Sequence, residues 1–196
     1  MSPTIEWTLM ISGWTIIFVI YLVTRYKIVK KSGGLYRLET DEMLKENMYA
    51  NIIFIFCFFA DGILVHIIVF PDFVQYEFLA HYFHFFLGLA IFAFAIWLFA
   101  ASRITLGKGW TPKGELLMDP SRFIKNGPYA SVRHPAYTAL ILAGFASGII
   151  IATSRVMFFM ILLLPILYWR VKIQESHLQK IFPEYKDYKK NKRMFF

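Results

Sequence analysis

Five apolar runs divide this chain, at about Ile5–Thr24, Met48–Phe70, Phe78–Ser102, Ala136–Ala152 and Val156–Val171. A helix of about 20 apolar residues crosses a hydrocarbon core of roughly 30 Å, so the pattern predicts five transmembrane helices. The last two runs are short, and only Thr153-Ser154-Arg155 separates them, so they read as one tight helical hairpin. Its first arm opens on Arg133-His134-Pro135 and its second closes on Trp169-Arg170, so both arms carry polar side chains to the same membrane face. Beyond it, Lys172–Phe182 sets Ile173, Leu178, Ile181 and Phe182 among polar neighbours, as in a helix lying on the membrane surface. The expected fold class is all-α: a polytopic membrane protein with five transmembrane helices, the last two a hairpin, and a cytoplasmic helical tail. One membrane domain fills 1–196, with three spans in 1–102 and the loop, hairpin and tail in 103–196. Gly144 and Gly148 give the small-xxx-small spacing that lets helices approach closely, here within the hairpin. Pro165 predicts a kink in the fifth span that frees a carbonyl near the polar cluster.

Composition agrees with a membrane setting. The chain is 58% hydrophobic and 19% aromatic with a mean hydropathy of +0.52, more apolar surface than a soluble domain hides. The 21 Lys and Arg residues decide the orientation. Six lie in 25–47, six in 103–135, eight from Arg170 onward and one in the 153–155 turn, which places 20 on one side of a five-span protein and one on the other. By the positive-inside rule the N-terminus is outside, and the C-terminus is cytoplasmic. The net charge of +8 therefore reports orientation and attraction to anionic head groups; with no base-reading motif, nucleic acid is not an expected partner. Cys57 is the sole cysteine, which excludes an intrachain disulfide and a cysteine-based metal site. Gly107-Lys108-Gly109-Trp110 is not the dinucleotide-binding glycine pattern, so a Rossmann-type domain is excluded.

The chemistry gathers at the hairpin mouth. Pro135 suits the first position of a helix, where its missing N–H costs nothing. The N–H groups of the turn that follows it are expected to face a site for a carboxylate or phosphate, with Arg133 as a permanent charge beside it. His134 lies between them. Arg170 leaves the fifth span on the same face, and Glu175 follows, as a partner for Arg170 or for the positive end of a ligand. Tyr129, Tyr137, Tyr185 and Tyr188 add ring faces suited to a sulfonium or ammonium. The cofactor site is thus expected on the cytoplasmic side, open to lipid along one flank. Asp61, His66, His81 and His84 fall in or near the second and third spans, in the outer half. They read as a hydrogen-bonded cluster locking two helices, with a proton path or a metal site as the less favoured alternative.

Several motifs together resemble the isoprenylcysteine carboxyl methyltransferases and the related phospholipid N-methyltransferases. They are Leu106-Gly107-x-x-Trp110, Gly127-Pro128-Tyr129, Arg133-His134-Pro135-x-Tyr137, and the tail from Arg170 through Gln174-Glu175-x-x-Leu178-x-x-x-Phe182-x-Glu184-Tyr185-x-x-Tyr188 to Arg193. The resemblance covers about 103–196 and implies an integral membrane enzyme whose hairpin and folded-back tail hold S-adenosylmethionine. It implies that His134, Tyr137, Glu175 and Tyr185 contact the cofactor, with Tyr129, Pro135 and Tyr188 around them. Arg133 and Arg170 would line the end where a lipid-like methyl acceptor enters from the bilayer, with His134 as the third catalytic candidate. The chain departs from the pattern in two places: Gln174 stands where a second acid is usual, and Met194 follows Arg193 where a proline is common.

Methyl transfer from a sulfonium is an in-line displacement, governed by alignment. A carboxylate acceptor needs no base; an amine or thiol acceptor must lose a proton, for which His134 and Glu175 are the candidates. The acceptor, whether an isoprenylcysteine carboxylate, a phospholipid amine or a hydrophobic thiol, and the oligomeric state stay open at this level. Two other readings remain: a membrane NADPH-dependent sterol-type reductase, since such enzymes carry a similar Arg-His-Pro-x-Tyr piece, and a non-catalytic lipid-binding module.

Overall fold

The computed structural model describes residues 3–31, 78–106, 123–151 and 154–196. They form helix α1 (Pro3–Lys31), α2 (Phe78–Leu106), a 3-10 turn (Gly127–Ala130), α3 (Pro135–Ile151), α4 (Ser154–Ile181) and α5 (Tyr185–Asn191). No strand occurs among the described residues, and one isolated parallel bridge joins Val132 to Arg193. The second apolar run, with Asp61 and His66, lies outside them, as does 107–122.

The core explains the helix faces. On α2, Phe85, Gly88, Phe92, Ala95, Phe99 and Ser102 recur every three or four residues, and all are buried. On α3, Ala139, Ala143, Ala146 and Ile150 do the same. These stripes meet, and α2 with α3 forms the most extensive helix pair. Small residues let the backbones close up. An added Cβ on Gly88 would stand 3.0 Å from the Ile150 nitrogen and 3.1 Å from the Ala146 oxygen. Helix α1 joins through Ile17, through Trp14 packed edge-on against Phe92, and through a bond from Trp14 Nε1 to Ser147 Oγ at 3.1 Å. Gly144 faces α4, where a side chain would run into Met160, so the small-residue motif serves hairpin packing.

The outward faces are apolar too. Phe83, Phe86, Phe94, Trp97 and Ile104 on α2, and Ile11, Phe18 and Val19 on α1, are exposed. A helix apolar all round belongs in an apolar surround. Tyr82–Leu106 is long and apolar enough to cross a membrane, the one such helix among the described residues; Ile11–Thr24 and Pro135–Ile150 are shorter apolar stretches. The buried Arg103 guanidinium near the end of α2 lies over the Tyr21 and Phe99 rings, at 5.1 and 5.4 Å.

Two expectations change. The fifth apolar run and the expected tail helix are one continuous helix, α4, which runs through Pro165. The carbonyl that Pro165 deprives of a donor is four residues back, at Ile161, and lies ~21 Å along the axis from Glu175. It is therefore remote from the polar cluster.

Besides the Ile150 side chain at 2.8 Å, two of the three atoms nearest an added Cβ on Gly88 are backbone and cannot step aside. Gly88→Ala is expected to destabilise the protein by about 1–3 kcal/mol, read as a lower unfolding midpoint in detergent. An unchanged midpoint would show that the α2–α3 approach is not tight.

Candidate functional site

Glu175 organises the hairpin mouth. Its side chain is 1% exposed, on the part of α4 that projects past the hairpin. Four groups converge on its carboxylate: Arg133 Nη1 at 2.7 Å, His134 Nε2 at 3.2 Å and the Tyr185 hydroxyl at 3.3 Å on Oε1, with Lys189 Nζ at 2.8 Å on Oε2. Tyr185 and Lys189 are four residues apart on α5 and so share a face. Lys189 was not singled out from sequence. Its signal is that spacing, in a helix whose Tyr185 and Tyr188 both turn inward.

The second half of the site is aromatic. Phe123 stacks on Phe182 at 5.3 Å and meets Tyr185 at 5.7 Å and Tyr188 at 5.1 Å. The Tyr188 hydroxyl donates to the Tyr129 carbonyl at 2.6 Å. Tyr185 and Tyr188 thus spend their ring faces on the protein. Tyr137 is half-buried, 6.1 Å from the His134 ring. Gly127 begins the 3-10 turn with φ +58, where a Cβ would also meet Thr105 Oγ1 at 2.9 Å. Glycine there lets the Gly127-Pro128-Tyr129 turn lie against the end of α2.

The entry of α3 is tied to the end of the tail. Pro135 opens the helix as foreseen. Ahead of it, Arg133 N donates to the Arg193 carbonyl at 2.9 Å and His134 N to the Met194 carbonyl at 3.1 Å. On Glu175, Oε1 is shared by Arg133, His134 and Tyr185, while Oε2 lies 2.8 Å from Lys189 Nζ. The arginine on it is Arg133. Five residues turn a helix by about 500°, which sets Arg170 roughly 140° round from Glu175; Arg170 is buried on α4. His84, half-buried, meets Phe83 edge-on, and no group of three potential metal ligands occurs among the described residues.

Charge states follow from these contacts. Burial pushes the Glu175 carboxyl up, but the contacts of His134 and Lys189 and the charge of Arg133 outweigh it and hold the group at about 2. Burial lowers His134 below its ordinary value, a shift only partly offset by Glu175, so the imidazole is neutral near pH 7. An ionised carboxylate only accepts, so neutral His134 donates through Nε2, which assigns the lone pair to Nδ1. Burial raises the hydroxyls of Tyr129 and Tyr185 well above the ordinary range, and that of Tyr188 to about 12. All three stay protonated. With Arg133 and Lys189 charged, the cluster around Glu175 carries a net positive charge.

Four buried polar atoms of Arg133, Gln174 and Glu175 lack a hydrogen-bond partner among the described residues: Arg133 Nε and Nη1, Gln174 Oε1 and Glu175 Oε2. Of these, Arg133 Nη1 and Glu175 Oε2 are in ion-pair range of a partner, at 2.7 and 2.8 Å, but outside hydrogen-bond geometry.

The depressed Glu175 value fixes the sign of one pH effect. Its contribution is complete above about pH 4.5 and is lost as pH falls through about 2, on the order of 3 kcal/mol in all. Protonation of His134 only in the unfolded chain adds a loss below about pH 6.5. Unfolding midpoints across pH 2–7 should therefore fall toward acid in the parent protein and fall less in Glu175→Gln. At neutral pH that variant should be less stable by about 3 kcal/mol, because it leaves buried Arg133 without its counter-charge. Parallel pH profiles for the two proteins would contradict this account.

No curated protein matches the chain. The family model for phospholipid methyltransferase matches residues 83–185, which takes in α2, the Arg133-His134-Pro135 entry, α3, α4 with Glu175, and Tyr185. With just over half of its length matched, the chain belongs to the phospholipid methyltransferase family.

Proposed function

We propose that this protein transfers a methyl group from S-adenosylmethionine to a lipid acceptor that reaches the site laterally from the bilayer. The family assignment supports a membrane methyltransferase, and the word phospholipid in its description supports a lipid acceptor. It also weighs against the reductase and the non-catalytic module. The observation that carries the cofactor reading is the pair of buried, unsatisfied atoms, Arg133 Nε and Gln174 Oε1. A buried donor and a buried acceptor without partners each cost about 1–3 kcal/mol. The amino-acid end of S-adenosylmethionine offers a carboxylate to the first and an ammonium to the second, so the residues fit the group.

When bound, S-adenosylmethionine supplies a methyl group made electrophilic by its sulfonium. The protein's part is binding, alignment and management of charge. Arg133 holds the anionic end, Gln174 the ammonium, and Tyr137 and Tyr129 offer ring faces. Arg170, buried at the end of the apolar part of α4, suits the acceptor's charged group. For an amine acceptor the departing proton has one good destination. Glu175 at about 2 is too weak a base, whereas His134 is neutral with Nδ1 as its basic nitrogen. A carboxylate acceptor would leave His134 with a binding role alone.

The setting we propose is a five-span membrane protein with the N-terminus outside and the site cytoplasmic. Apolar outer faces on α1 and α2 and the 20-to-1 distribution of basic residues support it.

S-adenosylhomocysteine titrated into detergent-purified protein should bind at micromolar concentration, and NADPH should not. Gln174→Leu should weaken that binding about fivefold, the worth of one net hydrogen bond. It should leave the thermal stability of the unliganded protein equal or higher, because an unsatisfied buried acceptor is gone. Folded protein that binds NADPH and not S-adenosylhomocysteine would reinstate the reductase, and binding of neither would reinstate the non-catalytic module.

A further inference from the structure

The last residues of the chain make an unusual set of contacts. Three successive carbonyls, of Arg193, Met194 and Phe195, accept from Arg133 N at 2.9 Å, His134 N at 3.1 Å and Thr138 Oγ1 at 2.8 Å. The segment runs parallel to the loop at Val132, and the Phe195 ring lies 6.4 Å from the His134 ring. Every hydrogen bond in this set uses the tail's main chain. Only Thr138 contributes a side chain, and that threonine is buried on the first turn of α3.

We propose that the main chain of Arg193–Phe195 is a positioning element of the methyl-transfer site, a strap that sets Arg133 and His134 against Glu175. Arg133 and His134 are the two residues of the α3 entry whose side chains meet the Glu175 carboxylate, and theirs are the amides the strap binds. Each is held at both ends, by its backbone to the tail and by its side chain to α4. Lys189 draws the tail's own helix onto the same carboxylate. Movement of the strap therefore moves Arg133 and His134 together. These contacts lie beyond residue 185, where the family match ends, so they are not part of what that match describes.

The proposal deepens the methyltransferase reading and rests on it for one readout, while amide exchange tests the strap without any ligand. In detergent, exchange at Arg133 and His134 is followed in the parent protein, in Thr138→Val, in Thr138→Ser and after deletion of residues 194–196. Thr138→Val should speed exchange at both amides about fivefold, as expected for one lost hydrogen bond, with the α2 core unchanged. Thr138→Ser should restore the parent rate, and the deletion should exceed Thr138→Val. Met194→Ala, which keeps the carbonyl, should leave exchange as in the parent. In the enzyme assay Thr138→Val should raise KM for S-adenosylmethionine by a similar factor, leave kcat within about twofold, and be rescued by serine. If the two amides exchange as fast in the parent as in Thr138→Val, the strap does not exist. Faster exchange with an unchanged KM would make it purely structural and overturn the positioning role. Parent protein that transfers no methyl group removes the functional reading, and the strap then stands or falls on exchange alone. Should the deletion fail to fold, the Thr138 pair decides.

Discussion

A carboxylate buried to 1% exposure is the constraint on which this site depends. Ionised and alone, such a group would carry a desolvation cost of several kcal/mol. Glu175 is tolerable only because Arg133, Lys189, His134 and Tyr185 surround it. Those partners come from the α3 entry and from α5, so meeting the electrostatic demand of one side chain on α4 draws three parts of the chain together. The same contacts set the chemistry. They hold Glu175 ionised, fix which nitrogen of His134 carries the proton, and leave a net positive charge on the cluster.

The helix pairs beneath the site follow from a different force. Within apolar surroundings, burial of apolar surface gives little drive for helices to associate, so close packing must do it. The alanine stripe on α3 and Gly88 on α2 let the two backbones approach, and the Trp14–Ser147 bond fastens α1 alongside. Large side chains are then free to face outward on α1 and α2. This rigid pair carries Pro135, and therefore the mouth of the hairpin, at a fixed height.

The two halves meet in the tail. Aromatic packing of Phe123 with Phe182, Tyr185 and Tyr188 buries the inner face of α5, and the segment after it lies along the Val132–His134 backbone. A surface pair, Lys125 with Glu184, lies in the same region, but exposed pairs contribute little. The closure is dominated by buried rings and main-chain bonds.

Much of this was legible in one dimension. Long apolar runs announce helices, Pro135 announces where α3 begins, and Arg133, His134, Tyr185 and Glu175 stand out as polar residues beside apolar segments. The motifs around them carried the family resemblance that the match over 83–185 bears out. What the sequence could not decide was pairing. Arg133 and Glu175 are far apart in the chain, and Arg170, nearer in sequence, is turned away by helical geometry. Lys189 looks like one more basic residue until α5 folds back. The carbonyls of Arg193–Phe195 carry no sequence signal at all, because a main-chain acceptor is the same at every residue. Periodicity is local and survives in the sequence; which buried charge meets which partner depends on the packing of distant segments, and only the tertiary structure sets that.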